Sequence, residues 1–192
     1  MKRLLLLLLC VVCAMVNAKA QDVQSNDTTY YAYGVDFSHV ETYAAAESED
    51  SFIKAFEGIN MLFISEPDKY DFSGLSTYNA VMMNVEPMIV KNSNADYSGM
   101  KQLRFRDNVL DCSSIVKEYE LQESDGRGII FIAKTLDKAE GRGIYQLVVF
   151  DIATREIIMQ KTVAGKASGF GLRNYWANTI YDIIKKNQKM IP

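Results

Sequence analysis

The chain has 192 residues, 48% of them hydrophobic, with 21 Lys and Arg against 24 Asp and Glu, one histidine and three cysteines. The formal charge of −3, with no basic patch or nucleic-acid motif, argues against a nucleic-acid partner. A single histidine sets aside most hydrolytic triads and histidine-rich metal centres.

In chain order, residues 1–20 read as a signal peptide. Lys2 and Arg3 precede an apolar run from Leu4 to Val16, which is followed by Ala18-Lys19-Ala20. The run is shorter than the roughly 20 apolar residues a spanning helix needs, so no transmembrane segment is expected. Cleavage after Ala20 and export, to the periplasm or the cell exterior, are expected. Cys10 follows Leu9 and Cys13 follows Val12, so neither has the small preceding residue of a lipid attachment site. What remains carries 18 basic and 24 acidic side chains, a formal charge of −6, and Cys112 as its one cysteine. The apolar neighbours in VLDCSSIV mark Cys112 as a buried, inert thiol.

Residues 21–29 are polar and aperiodic and read as a flexible amino terminus. Tyr31, Tyr33, Val35 and Phe37 then alternate with smaller or polar residues, the period of a strand. From Ser48 the period changes: Phe52, Phe56, Ile59 and Phe63 recur every three or four residues, with Ser48 as N-cap, acids in the first turn and Pro67 as the stop. AVMMNVEPMIVK, residues 80–91, is expected to be a second strand, placed at an edge because Pro87 cannot donate to a ladder. Val109, Cys112, Val116 and Tyr119 fit a short second helix. Three apolar runs, IIFIAKTL, IYQLVVFDI and EIIMQKTVA, are joined by connections too short for crossover helices and predict an antiparallel meander with a doubly covered middle strand. Leu172, Trp176, Ile180 and Ile183 share one stripe of a long final helix. The whole predicts a single α/β domain over residues 30–192, layered, with a mixed sheet and the order β-α-β-α-β-β-β-α.

Few constellations carry chemistry. Asp36, Ser38 and His39 gather at the carboxyl end of the first strand, where open α/β sheets place ligands. Ser38 and His39 are adjacent, however, and point to opposite sides of an extended chain, and there is no GxSxG elbow. The trio reads as a polar strand end. No pair of carboxylates is selected for glycoside hydrolysis. Tyr33 and Trp176 lie on periodic faces and are expected in the core.

The segment TVAGKASGFGLRNYW is the most site-like. Lys166 follows Gly165 at the wrong end for a Walker loop, and GFGLRN lacks the third glycine of a dinucleotide fingerprint. The main expectation is structural: glycines turn a strand into a helix, Phe170 plugs the core, and Arg173, a cation in a first helical turn, pairs with a carboxylate. The functional alternative is an anion held by Lys166, Ser168, Gly169, Gly171 and Arg173 at the free amides of a helix start. No metal or cofactor is expected.

FIKAFEGINMLFISEPDKYDF, FDIATRE and GKASGFGLRNYW together resemble a group of secreted proteins from gut bacteria of the Bacteroides type. The likeness spans most of the exported chain, implies export, and brings no catalytic residues with it. More remotely, the layout is similar to the small α/β domains of periplasmic assembly proteins such as the amino-terminal domain of TolB. The expected function is a non-catalytic binding or assembly module of the cell envelope, with an envelope protein or glycan as partner. The alternative is a low-histidine hydrolase using Asp36, or a small-anion binder using the loop from Gly165 to Arg173.

Overall fold

A computed structural model describes residues 28–77, 80–105 and 107–191. The expected signal peptide and residues 21–27 of the polar amino terminus lie outside the described residues.

Seven strands form one mixed sheet: β1 (Tyr30–Asp36), β2 (Glu41–Tyr43), β3 (Val81–Met83), β4 (Lys101–Gln102), β5 (Arg127–Asp137), β6 (Arg142–Asp151) and β7 (Ile157–Lys166). Among the described residues four helices accompany it: α1 (Glu49–Ser65), α2 (Glu86–Ser93), α3 (Cys112–Lys117) and α4 (Leu172–Lys186), with a 3₁₀ turn at Phe72–Leu75. The long strand β5 is the axis. On one side β1 runs parallel to its first half and β2 parallel to its end, with β3 and β4 outside them. On the other side β6 and β7 complete the antiparallel meander. The fold is α/β, in the predicted order, with β2, β4 and α2 added.

Both faces of the sheet are covered, which is why β5 and β6 read as apolar on both parities. One face packs Phe52, Phe56, Ile59 and Phe63 of α1 and Trp176, Ile180 and Ile183 of α4 against Ile129, Phe131, Tyr145 and Leu147. The other packs Cys112, Ile115 and Val116 of α3, with Tyr119, against Tyr33, Ile130, Ile132, Val148 and Phe150. Tyr33 and Trp176 are fully buried, and burial pushes the Cys112 thiol up from its ordinary range. Ser48 caps α1 by accepting from the Ser51 amide, with Glu49 and Asp50 in the first turn. Among the described residues no helix is long and apolar enough to cross a membrane.

The expected second strand is only partly a strand. Val81–Met83 pairs with β1 at the edge of the sheet, but the chain then turns into α2. Pro87 sits in the first turn of that helix, where its missing N–H is not needed, rather than marking an edge strand. A short apolar run does not by itself distinguish strand from helix, and here a proline inside the run marked the helix start.

Two buried asparagines fix how the helices meet β1. At Gly34 (φ +83°) the strand bulges, and a Cβ there would lie 2.3 Å from Asn60 Oδ1. Asn60 of α1 accepts from the Val35 amide at 2.8 Å and donates to the Val35 carbonyl at 2.9 Å. Asn92 of α2 donates to that same carbonyl at 3.0 Å and accepts from the Phe37 amide at 2.7 Å. The irregular end of β1 thus has its backbone polar groups satisfied by side chains, and α2 is held against it.

Candidate binding cleft at the carboxyl end of β1

A cleft of about 580 Å³ opens where β1 ends. One wall is α2, fixed by Asn92. The other is the segment 118–122 that follows α3, fixed from within: Tyr119 donates from its hydroxyl to Asp36 Oδ2 at 2.9 Å, and Arg155 donates to the Tyr119 carbonyl at 3.3 Å. Ser38 and His39, from the connection between β1 and β2, close the head of the cleft. Two polar bridges cross between the walls, Lys91 to Glu118 at 3.4 Å and Gln122 to Glu86 at 2.9 Å.

The lining has two chemistries. Pro87, Met88, Val90 and Ala95 offer apolar surface, with Val90 half exposed. Glu86, Asp96, Glu118 and Glu120 surround it with carboxylates against one lysine, Lys91, whose ammonium lies 5.5 Å from the Tyr119 ring centre. Beneath the lining Asp36 is fully buried. Its Oδ1 accepts from the Ser38 amide at 2.8 Å and hydroxyl at 2.6 Å. Burial, with Asp36 nearby, pushes the Tyr119 phenol well above its ordinary range, so Tyr119 stays a neutral donor.

The Asp36, Ser38 and His39 cluster therefore divides. Ser38 spends its hydroxyl proton on Asp36, and His39 stands exposed at the rim with no carboxylate or hydroxyl bonded to it among the described residues. The polar-strand-end reading fits this geometry, with the addition that the strand end heads a cleft.

The glycine loop is built differently from its main expectation. Gly165 is the conformationally demanding residue: a Cβ there would lie 1.9 Å from the Thr179 carbonyl oxygen, so only glycine lets β7 lie this close to α4. Lys166 is tied through its main chain, its amide donating to Asp182 Oδ2 at 2.8 Å and its carbonyl accepting from Asn178 at 2.8 Å. The Ser168 amide donates to the Tyr175 carbonyl at 3.3 Å. Gly169 (φ +109°) and Gly171 (φ +80°) bracket Phe170, which is 96% exposed and does not plug the core. Trp176, one turn into the helix, fills that place. Arg173 makes no ion pair among the described residues; its stem lies over Gly58 of α1, where a Cβ would come within 2.7 Å, and its Nε donates to Asn174 Oδ1 at 3.1 Å. No hydrogen bond or ion pair joins Lys166, Ser168 and Arg173 to one another. A small recess of about 170 Å³ beside Gly169 and Gly171 is lined by Glu47 and Lys138, which pair with each other.

The cleft residues Glu86, Val90, Lys91, Glu118 and Glu120 were not singled out by sequence. The signal present was Asn84-Val85-Glu86-Pro87: the Asn84 side chain accepts from the Glu86 amide at 3.3 Å, the turn chemistry of a helix start. A helix there puts Glu86 and Val90, four apart, on one face. No protein-family model matches the chain, and neither a curated protein nor a solved structure matches it.

Proposed function

We propose that this is an exported cell-envelope protein that acts as a binding or assembly module without chemistry of its own, and that the cleft between α2 and residues 118–122 is where it binds. The observation that carries the reading is the lining: an apolar strip around Val90 ringed by Glu86, Asp96, Glu118 and Glu120, at the carboxyl end of a strand in an α/β sheet. Such a cleft suits a partner segment that sets a lysine or arginine beside an apolar residue. Apolar burial supplies the affinity, and the carboxylates select the charge and speed the encounter. The leader-like residues 1–20 and the resemblance to secreted proteins of Bacteroides-type bacteria support the compartment. Against the hydrolase alternative, no hydroxyl or carboxylate is bonded to His39 among the described residues, and the Asp36 oxygens accept from Ser38 and Tyr119.

Thermal melting with short peptides tests the proposal. Peptides pairing Lys or Arg with Leu or Phe raise the melting temperature, with about 2.7 kcal/mol gained at 100 times Kd. Sequence-scrambled acidic peptides do not, and Val90→Glu abolishes the effect without lowering the melting temperature of the free protein. Equal stabilisation by acidic and basic peptides, or stabilisation that survives Val90→Glu, contradicts it.

A further inference from the structure

The sheet ends in one aligned row far along β5. Gln102 of β4 stands beside Tyr43 of β2, Tyr43 beside Asp137 of β5, Asp137 beside Arg142 of β6, and Arg142 beside Lys166 of β7. At about 4.8 Å per strand the row is about 19 Å long. The chain passes beyond it at Leu103, at the turn 138–141 and at the loop 167–171, and the recess shared by Lys138, Gly169 and Gly171 shows that the turn and the loop lie side by side.

Large apolar side chains are exposed here. Leu103 is completely exposed and Phe170 is 96% exposed; Phe105, 48% exposed, rests against the Tyr43 ring at 5.4 Å. Gly169 and Gly171 take backbone conformations that other residues rarely adopt, and with them the loop holds Phe170 out rather than in. Around these tips Arg104, Arg142, Lys166 and Arg173 are exposed. Of the acids nearby, Glu47 is engaged by Lys138, Asp137 is buried, Glu140 stands exposed in the turn, and Asp182, paired with Lys186, accepts from the Lys166 amide and lies near enough for the Lys166 charge to lower its pKa. An acidic chain has thus gathered four exposed cations beside its most exposed apolar residues, and three of them, Arg104, Arg142 and Arg173, have no carboxylate partner among the described residues.

Isolated apolar tips on separate loops do not make the packed, desolvated centre of a protein interface. Each can enter the headgroup layer of a bilayer on its own, while lysines and arginines around it are drawn to anionic lipids. We infer that this end of the sheet docks on an anionic lipid surface, with Leu103 and Phe170 in the headgroup layer and Arg104, Arg142, Lys166 and Arg173 against lipid phosphates. The docking end shares no residue with the cleft, so this inference stands or falls apart from the proposed function.

Vesicle flotation of the chain beginning at Gln21 tests it. The protein floats with vesicles of equal parts phosphatidylglycerol and phosphatidylcholine and stays behind with phosphatidylcholine alone, and raising the salt releases it. The double variant Leu103→Ser, Phe170→Ser stays behind. Arg142→Glu and Lys166→Glu each weaken partitioning at least about fivefold, the equivalent of about 1 kcal/mol per cation near the surface. Leu103, Phe170 and Arg142 are exposed and carry no ion pair among the described residues, so the melting temperatures of those variants match the parent and loss of flotation reports lost docking, whereas Lys166→Glu sets a carboxylate beside Asp182 and lowers the melting temperature slightly. Failure to float with the anionic vesicles, or flotation indifferent to these substitutions, overturns the inference. So does equal retention on polyglutamate-coated beads that ignores Leu103 and Phe170, which would assign the rim to an acidic protein.

Discussion

Asp36 is a carboxylate without exposed surface, held by two donors from Ser38 and one from Tyr119. Tyr119→Phe removes the one bond shown to Oδ2 and leaves a buried charge half satisfied, so it should cost about 1–3 kcal/mol in urea unfolding. An unchanged midpoint would mean that Asp36 finds another donor. Burial also raises Tyr33, Tyr97 and Tyr145 above the ordinary tyrosine value of 10.0, as it does Tyr119. A group whose folded pKa is raised contributes stability that is complete below its unfolded value and is lost as pH climbs above it. Stability should therefore decline above about pH 10, less steeply in Tyr119→Phe. On the acid side, the hydrogen bond from Lys138 holds Glu47 below its ordinary 4.5. That contribution is present above 4.5 and is lost as pH falls through the lower folded value, so Glu47→Gln should flatten the acid limb of the same titration. Gly165→Ala drives a methyl group into the Thr179 carbonyl and should cost at least about 1–3 kcal/mol, since neither backbone can yield without unpairing β7 or shifting α4.

At the scale of elements, the parts legible in the sequence are those whose hydrophobic period runs long enough to exclude alternatives. The Phe52-Phe56-Ile59-Phe63 stripe with its Ser48 cap, the three-strand meander and the Trp176-Ile180-Ile183 stripe all formed as read. The strands β2 and β4 are too short to show a period, and they exist because β5 extends beyond β1 and needs partners there. α2 was hidden because Met82, Met83, Met88 and Ile89 suit either a strand or a helix, so half of the cleft was hidden with it. Phe170 and Arg173 were misplaced for a related reason: the sequence shows that glycines bend the chain but not to which side the bend throws its side chains. Asn92 gives α2 its own test. Asn92→Ala strips donors and acceptors from the end of β1 and should cost about 1–3 kcal/mol. It should also weaken peptide binding at the cleft, whereas Ser48→Ala, costing about 1 kcal/mol at the far end of α1, should leave binding intact.

Over the whole molecule the charges are unevenly shared. Among the described residues, four carboxylates line the cleft and four exposed cations lie around the apolar tips at the end of the sheet. Overall composition, acidic throughout, gave no sign of this division, because the sheet assembles each group from segments far apart in the chain. Glu86 meets Gln122 between the two walls of the cleft, and Arg142 lies beside Lys166 in the meander. The cleft between α2 and residues 118–122 is proposed to engage a partner segment. The most direct test of that proposal is a photo-crosslinking side chain placed at residue 90 in the living cell, with the same group at residue 158 on the opposite edge of the sheet as control. The account predicts one discrete adduct from residue 90, lost when Glu86 and Glu118 are both changed to Lys, and none from residue 158. No adduct from residue 90, or the same adducts from both positions, would contradict it.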